Sequence, residues 1–214
     1  MKLWVICSYE GAMSAGNCTH ADYLRARREA LNEAHVPEGE KPLQSAGRAV
    51  YVSGTPAAKL SAEALCPGAP LNVREELAER EADSAPLADA ALPMALRTAL
   101  EAPKGAAKKA AMERAKAFIH ELEEDGRDAI LFSHAASIPI LLDALRLRGY
   151  VAQRSSLGAI SPGERILVTS RAAHCGGCGH NCMLSNPGCG VGRDKARRAG
   201  IAFSTGEEDG TDKR

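Results

Sequence analysis

Asp128-Ala129-Ile130-Leu131-Phe132-Ser133-His134, running on through Ile138-Pro139-Ile140-Leu141-Leu142-Asp143-Ala144-Leu145 to Tyr150, is the stretch whose reading decides the fold. Four apolar residues, Ala129 to Phe132, stop at a polar pair and pass into a second apolar run. The first run is short and unbroken, as in a buried strand, and the second has the length and spacing of a helix. In open α/β sheets the carboxyl ends of strands border the ligand crevice, so a histidine at such a tip is a candidate site residue. His134 has a plainer reading as well, as a helix cap or the partner in a local hydrogen bond.

The same rhythm extends in both directions. Lys2 to Cys7 is apolar without alternation, as expected of a central parallel strand covered on both faces. After the loop Ala12 to His20, the segment Ala21 to Leu31 has helical apolar spacing, its arginines reading as a solvated face. Ala49-Val50-Tyr51-Val52-Ser53 is a second strand, and Gly54-Thr55-Pro56 opens a helix through Leu65, with proline in the first turn. Asn72 to Leu77 reads as a short strand or a loop edge. Lys104 to Asp125 is an amphipathic helix closed by Gly126, with Ala111, Ala115, Phe118, Ile119 and Leu122 near one face. The turn Ser161-Pro162-Gly163 precedes a last strand, Arg165 to Thr169.

These elements predict an α/β fold, a three-layer αβα sandwich around a mostly parallel sheet. The expected boundaries are residues 1–171 for the α/β domain, 172–192 for a small cysteine-rich metal knuckle, and 193–214 for a disordered polar tail. A chain of 214 residues needs no second core. Lys plus Arg and Asp plus Glu are equal at 27 each, so no global field draws the chain to nucleic acid or an anionic membrane. No apolar run reaches the roughly 20 residues of a bilayer span, and Met1 to Ile6 is too short for a secretory signal. A cytoplasmic location is expected.

Four of the seven cysteines, Cys175, Cys178, Cys182 and Cys189, crowd into one segment with Cys-x2-Cys-x3-Cys-x6-Cys spacing. Clustered thiols in a reducing compartment point to a metal. Four thiolates suit a tetrahedral zinc ion, which would be closed and structural, and equally an iron–sulfur cluster. A single compact loop, unlike two separated knuckles, favours iron–sulfur. His174 or His180 is a possible replacement ligand, and reduced free cysteines are the competing reading. Arg193, Lys195, Arg197 and Arg198 follow as a basic stretch that reads as a solvated helix face.

The order of the elements, with Asp128 to His134 before an apolar helix, resembles the histidine phosphatase superfamily, the phosphoglycerate mutase-like fold, over Lys2 to about Thr169. Val50-Tyr51-Val52-Ser53 followed by Ser61-Ala62-Glu63 is similar to that family's second motif, and Val73-Arg74-Glu75 to the segment bearing its acidic residue. The resemblance implies a phosphorylated histidine in an Arg-His-Gly pattern after the first strand, with two arginines and a second histidine clamping the phosphoryl group. Here the first strand ends Ile6-Cys7-Ser8-Tyr9-Glu10-Gly11, placing Cys7, Ser8 and Tyr9 where Arg-His-Gly is implied. Ala57 or a neighbour stands at the second arginine. His134 alone is retained cleanly.

Those departures remove the bidentate guanidinium forks on which phosphate recognition depends, and Lys59 offers a point charge in their place. Ser8 needs a base to become a nucleophile, for which His134 is the candidate. Cys7 is an alternative nucleophile, or a buried apolar cysteine. Glu75 best matches the family's general acid, with Glu76 and Glu79 nearby, and a solvated charged face explains all three equally well. His20, His35 and His120 receive no role. The expectation is a divergent member, non-catalytic or catalytically altered, that binds a small phosphorylated ligand or a protein partner in a regulatory role. Two alternatives stay open: an active phosphatase or phosphomutase using Ser8 or Cys7, and a redox or metal-sensing protein acting through the cysteine segment.

Overall fold

The computed structural model describes residues 1–13, 16–78, 89–94, 98, 104–153, 159–170, 175, 182, 184 and 187–198. The chain divides into two compact units, Met1–Val168 and Thr169–Arg214. Among the described residues no helix is long and apolar enough to cross a membrane.

In chain order the strands are β1 (Lys2–Cys7), β2 (Asn17–Cys18), β3 (Ala49–Val52), β4 (Leu71–Val73), β5 (Leu92–Pro93), β6 (Ala129–Ser133), β7 (Tyr150–Gln153) and β8 (Arg165–Ser170). The helices are α1 (His20–Asn32), α2 (Pro56–Leu65), α3 (Gly105–Asp125), α4 (Ile138–Leu147) and α5 (Gly190–Arg198), with a 3-10 turn at Glu75–Leu77. Six strands form one sheet in the order β4-β3-β6-β1-β8-β7. β6 runs parallel to β1 and to β3, with Ala129 opposite both Leu3 and Ala49 and Phe132 opposite both Ile6 and Val52. β3 and β4 are also parallel. All five residues of β6 are buried, which is why its sequence does not alternate.

Alternation reappears as a division between the sheet's two faces. Leu3, Val5, Ala49, Tyr51, Ala129 and Leu131 pack with Phe118, Ile119 and Leu122 of α3 and Ile138 and Leu141 of α4. The intervening residues, Ile6, Val50, Val52, Ile130 and Phe132, pack with Ala58, Ala62 and Leu65 of α2. Side chains of successive strand residues point to opposite faces, so each face receives its own core, and the αβα layering follows.

Helix ends follow their local chemistry. Thr19 accepts the Asp22 amide at 3.2 Å while Asp22 accepts the Thr19 amide at 3.3 Å, a reciprocal cap on α1. Thr55 accepts the Ala58 amide at 3.3 Å, and Pro56 fills the first helical position of α2. Gly126 ends α3 at φ 69°, a left-handed conformation open to glycine.

The segment from Leu71 resolves into β4 and the 3-10 turn, because the Arg74 amide returns to the Val52 carbonyl at 2.8 Å. The strand β7 and the small antiparallel sheet of β2 and β5 were not expected. Within the second unit, α5 takes the place of the disordered segment expected from residue 193 as far as Arg198. Its Ala196 is buried with Cys175 and Leu184, which gives this basic helix an apolar contact that charge counting misses. The tail beyond residue 198 lies outside the described residues.

Candidate functional site

Parallel register brings three strand ends together. β6 runs into His134, β3 into Ser53-Gly54-Thr55, and β1 into Ser8-Tyr9-Glu10. The Ser53 amide donates to the Phe132 carbonyl at 3.0 Å and the Ser8 amide to the Ser133 carbonyl at 2.8 Å, locking both neighbours to the tip of β6.

His134 is fully buried and bonded on both ring nitrogens. Its Nδ1 lies 2.7 Å from Glu10 Oε1. Its Nε2 lies 2.9 Å from Ser53 Oγ and 3.1 Å from Thr55 Oγ1. An ionised carboxylate only accepts, so Nδ1 carries a proton and donates to Glu10, while Nε2 faces the hydroxyls of Ser53 and Thr55. The other Glu10 oxygen is ion-paired with Arg27 of α1, the two side chains being 8% and 13% exposed. Burial opposes ionisation of Glu10, but the hydrogen bonds from His134 and Arg27 together with the Arg27 charge outweigh it and hold the carboxyl below its usual range.

The residues predicted from sequence are distributed unevenly around this group. Ser8 is fully buried, and its hydroxyl donates to the Ser133 carbonyl at 2.9 Å, with no bond to His134. Cys7 is buried; burial first and the Glu10 charge second push its thiol up to about 12. Glu75 is exposed in the 3-10 turn, its carboxylate beside Gly54 at the edge of the tips. The adjacent Arg74 is paired with Glu121 at 2.8 Å and lies over the rings of Tyr51 and Phe118. Lys59 sits one turn into α2, its amide bonded to the Thr55 carbonyl at 3.2 Å. Glu79 lies outside the described residues.

Beside the His134–Glu10 pair opens a cavity of about 650 Å³, bordered by Glu10, Arg27 and Ala135 and walled by Pro139, Leu142 and Ile160.

Of the residues expected to bind a metal, Cys175, Cys182 and Cys189 are described, whereas Cys178, His174 and His180 lie outside the described residues. The Cys175 amide donates to the Cys182 carbonyl at 2.8 Å, and Lys195 Nζ donates to the Cys175 carbonyl at 2.7 Å. The Gly192 amide approaches Cys189 Sγ at 3.5 Å at the start of α5. Among the described residues no three metal-capable side chains converge on one point.

Sequence reasoning missed Glu10, Arg27, Ser53 and Thr55. A signal for Arg27 existed in the helical period: the buried residues of α1 are Tyr23 and Ala30, and Arg27 stands four after the first and three before the second. Its neighbours Arg25 and Arg28 fall off that stripe.

No protein-family profile matches the chain, and no curated protein matches it. Among solved structures, TTHB049 from Thermus thermophilus is similar at 21% identity, over 78% of this chain and 92% of that one, with a TM-score of 0.43. A candidate alpha-ribazole-5'-P phosphatase from Escherichia coli is similar at 16% identity, over 68% and 79%, with a TM-score of 0.38.

Proposed function

We propose that this chain is a divergent histidine phosphatase-like protein, non-catalytic or catalytically altered, whose pocket no longer transfers phosphoryl groups from phosphate monoesters and which has a binding or regulatory role. The observation that carries this reading is the Glu10 carboxylate 2.7 Å from Nδ1 of His134, with Arg27 engaged as its counter-ion. A phosphate dianion arriving beside Glu10 would meet a carboxylate whose counter-ion is already engaged, with no further cation supplied by that pair. Phosphoryl transfer rests on neutralising the equatorial oxygens, and the guanidinium nearest this histidine is already committed to Glu10. Ser8 and Cys7 give the active-phosphatase alternative little support, the first bonded to a backbone carbonyl and the second held as a thiol.

The test is phosphate release from para-nitrophenyl phosphate and a panel of phosphometabolites. The expected result is no turnover above that of His134→Ala. Turnover that His134→Ala abolishes would overturn the reading.

For the second unit the proposal is a metal site on Cys175, Cys178, Cys182 and Cys189, holding zinc or an iron–sulfur cluster. Support comes from the sequence spacing and from Cys175 and Cys189 both bordering Gly192, whose amide approaches Cys189 Sγ and whose Cα hydrogen lies toward Cys175 Sγ. Metal and sulfide analysis after anaerobic purification decides it: a stoichiometric metal lost from Cys182→Ser supports the site, and metal-free protein refutes it.

A further inference from the structure

The contacts of His134 form a relay of the kind that activates a hydroxyl nucleophile. Its Nδ1 is oriented by a carboxylate at 2.7 Å and its Nε2 lies 2.9 and 3.1 Å from two hydroxyls. In such a relay the base lies within hydrogen-bond reach of the nucleophile and is in turn oriented by a third group. We propose that Thr55, His134 and Glu10 form a nucleophilic hydrolase site that cleaves uncharged carboxylic esters, with Thr55 Oγ1 as the nucleophile.

Thr55 is distinguished from Ser53 by access and by its bonding. Ser53 is fully buried, whereas Thr55 is partly exposed. Thr55 Oγ1 accepts the Ala58 amide at 3.3 Å, and its hydroxyl proton stays free to be given to His134 Nε2, 3.1 Å away. The helix α2 begins directly after Thr55, so the positive end of its dipole lies beside the place where an oxyanion would develop. Arg27 holds the second Glu10 oxygen and acts as a positioning residue for the carboxylate.

The substrate class follows from the charges. The carboxylate that orients the base disfavours an anionic substrate, and this step rests on the reading that phosphate is not the ligand. The neighbouring cavity of about 650 Å³ borders Glu10 and Ala135 and offers Pro139, Leu142 and Ile160 to an apolar acyl or alcohol group. In the acylation step Thr55 Oγ1 bonds to the ester carbonyl carbon as its proton passes to Nε2. Collapse of the tetrahedral intermediate breaks the carbon–oxygen bond to the leaving group, which takes that proton and departs as the alcohol. Water then attacks the acyl-threonine, gives its proton to Nε2, and the carboxylic acid leaves as the hydroxyl of Thr55 is restored. The net reaction is ester plus water to acid plus alcohol, with no redox change.

The test treats the full chain with a fluorophosphonate probe, which forms an Oγ–phosphorus bond with loss of fluoride, and maps the adduct by mass spectrometry. Hydrolysis of para-nitrophenyl acetate is followed in parallel. The expected adduct is on Thr55, with Thr55→Val lowering ester hydrolysis about 100-fold or more and Thr55→Ser retaining both adduct and turnover. Glu10→Gln is expected to slow labelling about 10-fold in protein that remains folded by circular dichroism. Loss of a cap threatens folding of Thr55→Val, so the position of the adduct on the unmutated chain decides the matter without that variant. An adduct confined to Ser53 or elsewhere, no adduct on folded protein, or full hydrolysis by Thr55→Val each overturns the proposal. Turnover of para-nitrophenyl phosphate would instead overturn the binding reading, and the two assays fail separately.

Discussion

His134 and Glu10 stand 124 residues apart in sequence and 2.7 Å apart between Nδ1 and Oε1. Both are withdrawn from solvent, so neither can be removed without leaving the other's polar atoms unmatched. Breaking a buried pair from one side costs about 3–5 kcal/mol, mostly the desolvation left uncompensated. Glu10→Ala is therefore expected to lower the urea unfolding free energy by about that amount, and a loss below about 1 kcal/mol would show the pair to be solvated in solution. The pH dependence has a fixed sign. Glu10 is lowered from an ordinary value of 4.5, so its stabilisation is present above that value and is lost as pH falls through the lowered folded one. Urea midpoints measured from neutral pH into acid should fall more steeply for the wild type than for Glu10→Gln.

Two glycines with nearly the same backbone separate strain from crowding. Gly163 and Gly68 have φ of 77° and 74°, both in the left-handed region. A side chain at Gly163 would run into the ring of Tyr9, while nothing lies near one at Gly68. Gly68→Ala should cost about 1 kcal/mol from backbone strain alone. Gly163→Ala adds displacement of a buried aromatic ring and should cost about 1–3 kcal/mol more, visible as a larger drop in the urea midpoint. Equal costs would mean that Tyr9 swings away freely.

Much of the fold was legible because the information is local. Ala129 to Phe132 and Lys2 to Cys7 announce themselves as central strands by lacking alternation, and Thr55-Pro56 and Gly126 mark helix ends by their own backbone chemistry. The site was less legible because it is made of long-range pairings. Nothing adjacent to Glu10 in sequence says that its partner is His134, and Ser8, the hydroxyl that its place after the first strand singles out, donates to the Ser133 carbonyl instead. Charge reading caught only part of α5: Arg193, Lys195, Arg197 and Arg198 are the solvated helix face that their charge predicts, while Ala196 holds a buried face that counting charges does not show.

Thiol chemistry gives a test that needs no substrate. Burial pushes Cys7 up to about 12 and Cys66 up to about 11, so at pH 8 both exist as protonated, enclosed thiols. Iodoacetamide on native protein should spare both, with mass spectrometry finding them alkylated only after urea. Cys182 and Cys189 are only half-buried and should react first in metal-free protein. Native-state alkylation of Cys7 at the rate seen in urea would show that the tip of β1 opens to solvent.

Arg27 is the residue that the helical period of α1 places on the buried stripe between Tyr23 and Ala30. Arg27 satisfies one Glu10 oxygen while His134 satisfies the other, so removing the guanidinium leaves a largely buried carboxylate held, among the described residues, by His134. Burial then opposes ionisation of Glu10 with less to offset it, and its carboxyl must move upward. Carbon-13 titration of the Glu10 carboxyl in Arg27→Gln should show that rise, together with a loss of stability of about 3 kcal/mol at neutral pH. Arg27→Lys restores the charge without the fork, so it should return part of the shift and less of the stability. A Glu10 titration unchanged in Arg27→Gln would mean that His134 alone fixes the carboxylate, and Arg27 would lose its place in the site.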